Sequence, residues 1–175
     1  MNKRHYSKNQ KHVWLAMLIA TGLIIFIFEI YIPRPLPWLK PGLANIATLL
    51  ALYIFGAQAA FIVFISRVVI GSLVLGTLLN PVFILSIGGG IAATSIMAVV
   101  KYFGEKFFSI FGVSILGAVA HNVVQLILVA AIIIHQTEIF YLLPAMLVSG
   151  LFTGIIVALI SYYLLINIKK HFIDF

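Results

Sequence analysis

Of 175 residues, 63% are hydrophobic and 9% charged, whereas a soluble domain carries roughly 25% charged residues, so the composition excludes a water-soluble fold and makes lipid the solvent. The length fits one bundle of about six spanning helices at roughly 20 residues each and leaves no room for a second, soluble domain. The net charge of +7 comes largely from Lys3, Arg4, Lys8, Lys11, Lys169 and Lys170 near the two ends, which is the distribution of cytoplasmic flanks of membrane helices and not of a nucleic-acid surface. Without cysteine, the chain has no disulfide, thiolate metal site or redox pair.

In chain order, residues 1–12 form a polar, basic tail expected on the cytoplasmic side. The apolar run from Val13 to Ile32 is the first helix. It is too long for a signal sequence, and no small-x-small cleavage site follows it. The segment 31–42 then interrupts the apolar pattern. Pro33, Pro35, Pro37 and Pro41 lack amide donors and restrict the residues before them. Arg34 and Lys40 are charged, and Tyr31 and Trp38 suit the boundary between hydrocarbon and water. A stiff outer loop is expected here, contributing to any ligand site. A second helix follows from near Gly42 to Phe55, and a third from Ala57 to Leu75. Both are short for spanning helices, so either the bilayer is thin there or one helix is partly inserted. Val82 to Val100 makes a fourth helix and Lys101 to Lys106 a charged loop. Phe111 to Ile134 makes a fifth helix, Phe140 to Ile168 a sixth, and 169–175 a second basic tail. Six passes place both tails and Lys101 and Lys106 inside, with Glu138 outside. No inverted repeat is visible, which argues against two-halved secondary transporters.

Several polar residues fall within these apolar runs. Arg67 is flanked by Phe61 to Ser66 and by Val68 to Ile70, where a charge costs about 2.5–3.5 kcal/mol on insertion scales. It is expected to face the interior and meet a ligand anion or an ionic partner such as Glu29, or else to snorkel towards a helix end. His121, Asn122 and Gln125 share one side of the fifth helix and face either a cavity or a neighbouring helix. Asn80 and Ser86 flank the start of the fourth helix, where Asn80 is also a candidate cap. The run Gly88–Gly90 lacks the Lys-Ser/Thr of a phosphate loop, so it permits close helix contact or breaks the helix beside a cavity. Ala16 with Ala20, and Gly150 with Gly154, have small-xxx-small spacing suited to packing within the bundle or against a partner. The four acids are scattered: Glu29, Glu105, Glu138 and Asp174. No paired-carboxylate site, aspartate-rich metal motif or Walker motif is present, so neither catalysis nor ATP hydrolysis is expected of this chain.

The run Glu29…Ile32-Pro33-Arg34-Pro35-Leu36-Pro37…Lys40-Pro41-Gly42-Leu43-Ala44-Asn45-Ile46-Ala47-Thr48-Leu49 resembles the Gx transporter family, often labelled heptaprenyl diphosphate synthase component I. Arg67-Val68…Gly71…Gly76-Thr77, Ser86…Gly88-Gly89 and His121-Asn122…Gln125 extend the likeness to the fifth helix. Pro41 stands where such proteins usually have a small or aliphatic residue, which stiffens the loop. The family is similar to the substrate-binding S components of energy-coupling factor transporters. The resemblance implies an all-α bundle of about six transmembrane helices in the cell membrane, with both termini cytoplasmic. It implies capture of a small anionic molecule related to vitamins or isoprenoids, a membrane coupling subunit and ATPases as partners, and no cofactor or metal. Ala16 and Ala20 match the Ala-xxx-Ala docking face of such components. Arg34, Trp38, Lys40, Asn45, Arg67, Asn80, Ser86, His121, Asn122 and Gln125 are the expected ligand residues. The synthase label fits prenyl chemistry poorly, because Asp174 is the one aspartate. A non-catalytic membrane subunit serving prenyl diphosphate or quinone synthesis, or flavin-linked electron transfer, is the alternative.

Overall fold

A computed structural model describes residues 8–32, 42–104 and 107–173. Among these there is no strand. Six α-helices carry the fold: α1 Lys8–Phe28, α2 Asn45–Phe55, α3 Ala57–Val74, α4 Pro81–Gly104, α5 Ile110–Val129 and α6 Leu143–Ile173. A 3-10 turn, Glu29–Tyr31, extends α1. A π turn, Ala130–Ile134, extends α5, and a 3-10 segment, Thr137–Leu142, leads into α6. Five of these stretches are long and apolar enough to cross a membrane. The first and last helices exceed their expected bounds: α1 begins within the basic tail at Lys8, and α6 continues to Ile173.

The exception is α2. Its 11 residues reach about 16 Å, roughly half of a 30 Å hydrocarbon core. Ile46 through Leu52 are all buried, as expected for a short helix that is apolar all round and enclosed by others. Of the two short helices anticipated from the sequence, it is thus α2 whose helical length alone falls short of the bilayer. The 18 residues of α3 reach about 27 Å.

The core divides by depth. At one end, Leu15 and Leu18 of α1 pack with Leu49–Leu52 of α2, Ala59 and Ala60 of α3, Met97 of α4, and Ile110 and Val113 of α5. At the other end, Phe26 of α1 meets Ala44, Phe64 and Val68. There too, Leu85 of α4 packs with Leu126 and Val129 of α5 and with Ile139 and Met146 beside the start of α6. Starts and ends therefore alternate, α2 included, and α1 begins at the end of the bundle where α6 finishes. Outward faces are broadly apolar, as for Ile62, Ile91, Val99, Leu151, Phe152 and Ile156. Exposed Tyr102, Phe103, Phe107 and Tyr163 mark one rim, and Tyr31 and Tyr141 mark the other, as aromatic residues do at lipid–water boundaries.

Glycine sets the close approaches. α4 is continuous through Gly88, Gly89 and Gly90, so the run is a packing surface and not a break. A Cβ at Gly90 would enter the Phe64 ring, and one at Gly88 would meet Leu128. At Gly154 an added Cβ would lie 2.6 Å from the Ile115 backbone, and at Gly150 3.2 Å from that of Val119. That pair therefore joins α6 to α5 within the bundle. Gly56 turns α2 into α3 at φ 92°, a conformation that strains any side chain.

α2 is held at both ends by charges from other helices. The Ala44 amide, at its N-cap, donates to the buried Glu29 carboxylate at 3.1 Å. The Lys101 ammonium donates to the Leu52 carbonyl at 2.6 Å and lies 4.6 Å from the Tyr53 ring centroid. An anion at the N-terminus and a cation at the C-terminus both complement the helix dipole. Lys101, expected in a loop, instead lies in the last turn of α4, with its ammonium turned inward onto α2.

Candidate ligand cleft

A partly open cleft with room for about one water lies between α2, α5 and α6. Gly42 and Asn45 line it from the α2 side, and Met97 from α4. Ser114, Ala118, His121 and Asn122 of α5 and Thr153 and Val157 of α6 complete it. Much of that space is narrow, so in this form it admits water and must widen around a larger solute. Its walls place five polar side chains among helices whose outer faces are apolar.

Each wall has a local cause. On α5, Ser114, Ala118, His121 and Gln125 recur at helical spacing, so one side of an apolar helix is polar. The Ser114 hydroxyl donates to the Gly154 carbonyl at 2.8 Å, and the Asn122 amide to the Met146 carbonyl at 2.8 Å. The Thr153 hydroxyl donates to the Gly150 carbonyl at 3.3 Å. The His121 ring lies against α4, where a Cβ at Gly89 would be 2.9 Å from it. Gln125, one turn further along α5 than His121, is buried, and its Oε1 has no hydrogen-bond partner among the described residues.

Arg67 supports the site from behind. Its guanidinium donates from Nη2 to Asn45 Oδ1 at 2.5 Å. The side chain is buried, 5.9 Å from the Phe64 ring centroid, and the Glu29 charge acts on it electrostatically. Gly22 makes room: a Cβ there would stand 3.0 Å from Ala47 and 3.2 Å from the Arg67 stem. The cation expected from sequence to need an interior partner thus has Asn45 and the field of Glu29, and it reaches the cleft through Asn45.

Of the ten residues expected to bind ligand, Asn45, His121 and Asn122 line the cleft, Arg67 stands behind Asn45, and Gln125 is buried in α5 but is not among the lining residues. Ser86 is buried in α4 and donates to the Val82 carbonyl at 2.8 Å. Asn80 is exposed in the turn before α4, its carbonyl accepting the Phe83 amide at 2.8 Å. Arg34, Trp38 and Lys40 lie outside the described residues, as do Lys3 and Arg4 of the amino-terminal tail and Glu105 and Lys106. Gly42, which follows the proline segment, is itself part of the cleft wall. Sequence reasoning missed Ser114 and Thr153. The signal for Ser114 was its seven-residue spacing from His121, and for Thr153 a hydroxyl one turn from Gly150 in an apolar helix.

Five long apolar helices, a short enclosed one and an interior polar cleft define a multi-pass α-helical membrane protein. A family model described as heptaprenyl diphosphate synthase component I matches residues 18–164, and the chain belongs to that family. No curated relative and no solved structure matches it.

Proposed function

We propose that this chain is the substrate-capturing membrane subunit of an energy-coupling factor type transporter, taking up a small molecule with partner ATPases supplying the energy. The observation that carries this reading is the cleft between α2, α5 and α6, where Asn45, Ser114, His121, Asn122 and Thr153 converge. Polar side chains are costly to insert among acyl tails, so a wall built of five of them suits a solute that spends time there. Arg34 and Lys40 would draw the anionic part of that solute from the outer side, and Trp38 would cover it. Asn45 would touch the solute while Arg67 holds Asn45 in place.

Docking on a coupling subunit falls to α1. Val13, Ala16, Met17, Ala20 and Ile24 are exposed along one stripe of it, and the two alanines would let a partner helix approach closely. The basic ends of α1 and α6 would face the cytoplasm, with Glu138 outside. The chain itself would be non-catalytic.

Purification from native membranes tests this reading. A stoichiometric small molecule in the organic extract, together with ATPase and coupling subunits in the eluate, is the expected result. An empty extract and no ATPase would refute it. The description of the matched family favours a second reading, a non-catalytic membrane subunit serving prenyl diphosphate or quinone synthesis. Co-elution of a prenyltransferase or a flavoprotein in place of ATPases would select that one.

A further inference from the structure

Resting on the capture reading, we infer that the part of the ligand that enters the cleft is an uncharged group bearing N–H or O–H donors, such as a primary amide, a lactam N–H or a hydroxyl. Ser114 and Thr153 each have one hydroxyl proton, and both protons are committed to carbonyls of α6. What these oxygens have left for the cleft is lone pairs. Asn122 commits an N–H to Met146. This fixes which end of its amide is nitrogen and leaves Oδ1 as a second kind of acceptor on the same wall. One turn further along α5, the buried Gln125 Oε1 also has no donor among the described residues.

The opposite wall offers donors. Asn45 spends its Oδ1 on Arg67, so its N–H donors remain. On the α5–α6 wall the oxygens of Ser114, Thr153 and Asn122 therefore offer lone pairs, beside the second Asn122 N–H and the His121 ring, and the Asn45 amide nitrogen donates from the α2 wall. A group with N–H on one edge and C=O on the other satisfies both. Among the described lining residues there is no Lys, Arg, Asp or Glu, and the Arg67 guanidinium behind the wall is committed to Asn45, so an uncharged group suits the described lining better than an ionised one. A bound acceptor with no donor would oppose lone pairs to lone pairs on the α5–α6 side and leave them desolvated.

The full chain in lipid nanodiscs, titrated with benzamide and with acetophenone, tests this. The two are near isosteres, and the second replaces NH₂ by CH₃. Saturation-transfer NMR against empty nanodiscs removes partition into lipid. Benzamide is expected to bind at least about fivefold more tightly. In Thr153→Val, which keeps the side-chain shape, the preference is expected to shrink while the melting temperature holds. Equal or better binding of acetophenone, or a preference untouched by Thr153→Val, overturns the inference. So does silence from both probes. The capture reading is judged separately, by whether the purified protein carries an extractable small molecule.

Discussion

At the scale of single residues, the pair of charges within the bundle decides most. Arg67 and Glu29 are 5% and 2% exposed, and neither has water to fall back on. Arg67→Ala removes the donor to Asn45 and the buried positive charge whose field reaches Glu29, and a hydrogen bond made by a charged group contributes about 1.5–3 kcal/mol. Loss of ligand binding by this variant is therefore expected together with a lower melting temperature. The double variant Arg67→Gln with Glu29→Gln is expected to recover part of the stability, because the two effects are coupled. Strictly additive losses in a thermal-unfolding cycle would show that the two charges do not depend on each other. Sequence reading identified Arg67 as a buried cation in need of a partner. It could not show that Asn45 would be that partner, since the two are 22 positions apart and α2 itself had uncertain bounds.

At the scale of elements, α2 is the one helix whose own length falls short of the bilayer and the one anchored at both ends by its neighbours. Lys101→Met keeps the aliphatic stem but removes the ammonium from the Leu52 carbonyl. A loss of about 1–2 kcal/mol is expected, with faster amide exchange confined to the α2–α3 turn around Gly56. Uniform acceleration across the bundle would argue against a local cap. The contact between α4 and α3 gives a second test. Gly90→Ala drives a methyl group into Phe64 and should cost about 1–3 kcal/mol as an overpacked site. Phe64→Leu should restore part of that in the double variant. Gly88–Gly90 was legible as either a packing surface or a break, and three different neighbours across the interface settled the matter.

At the scale of the whole molecule, alternation of helix starts and ends brings the two ends of the described chain to one side. The protein lacks cysteine, so single-cysteine variants can be labelled without background. Lys11→Cys and Lys170→Cys should react with a membrane-impermeant maleimide from the same face of sealed vesicles, and Glu138→Cys from the opposite face. Labelling of Lys11→Cys and Lys170→Cys from opposite faces would mean that α2 does not count as a pass. The helix count and the long spans were readable from apolar runs, because each span must satisfy its own backbone in lipid. The depth reached by α2 was not, because eleven apolar residues read alike in a helix that spans and in one enclosed by others.

The amino-acid sequence alone settled the solvent, the helical class and the identity of the polar residues too costly to leave in lipid, because these follow from composition and local periodicity. The tertiary structure alone decided which of those residues share a wall, which protons they have left and which charges close the ends of α2. Those outcomes depend on contacts between helices far apart in the chain, and no local pattern encodes the geometry of such contacts.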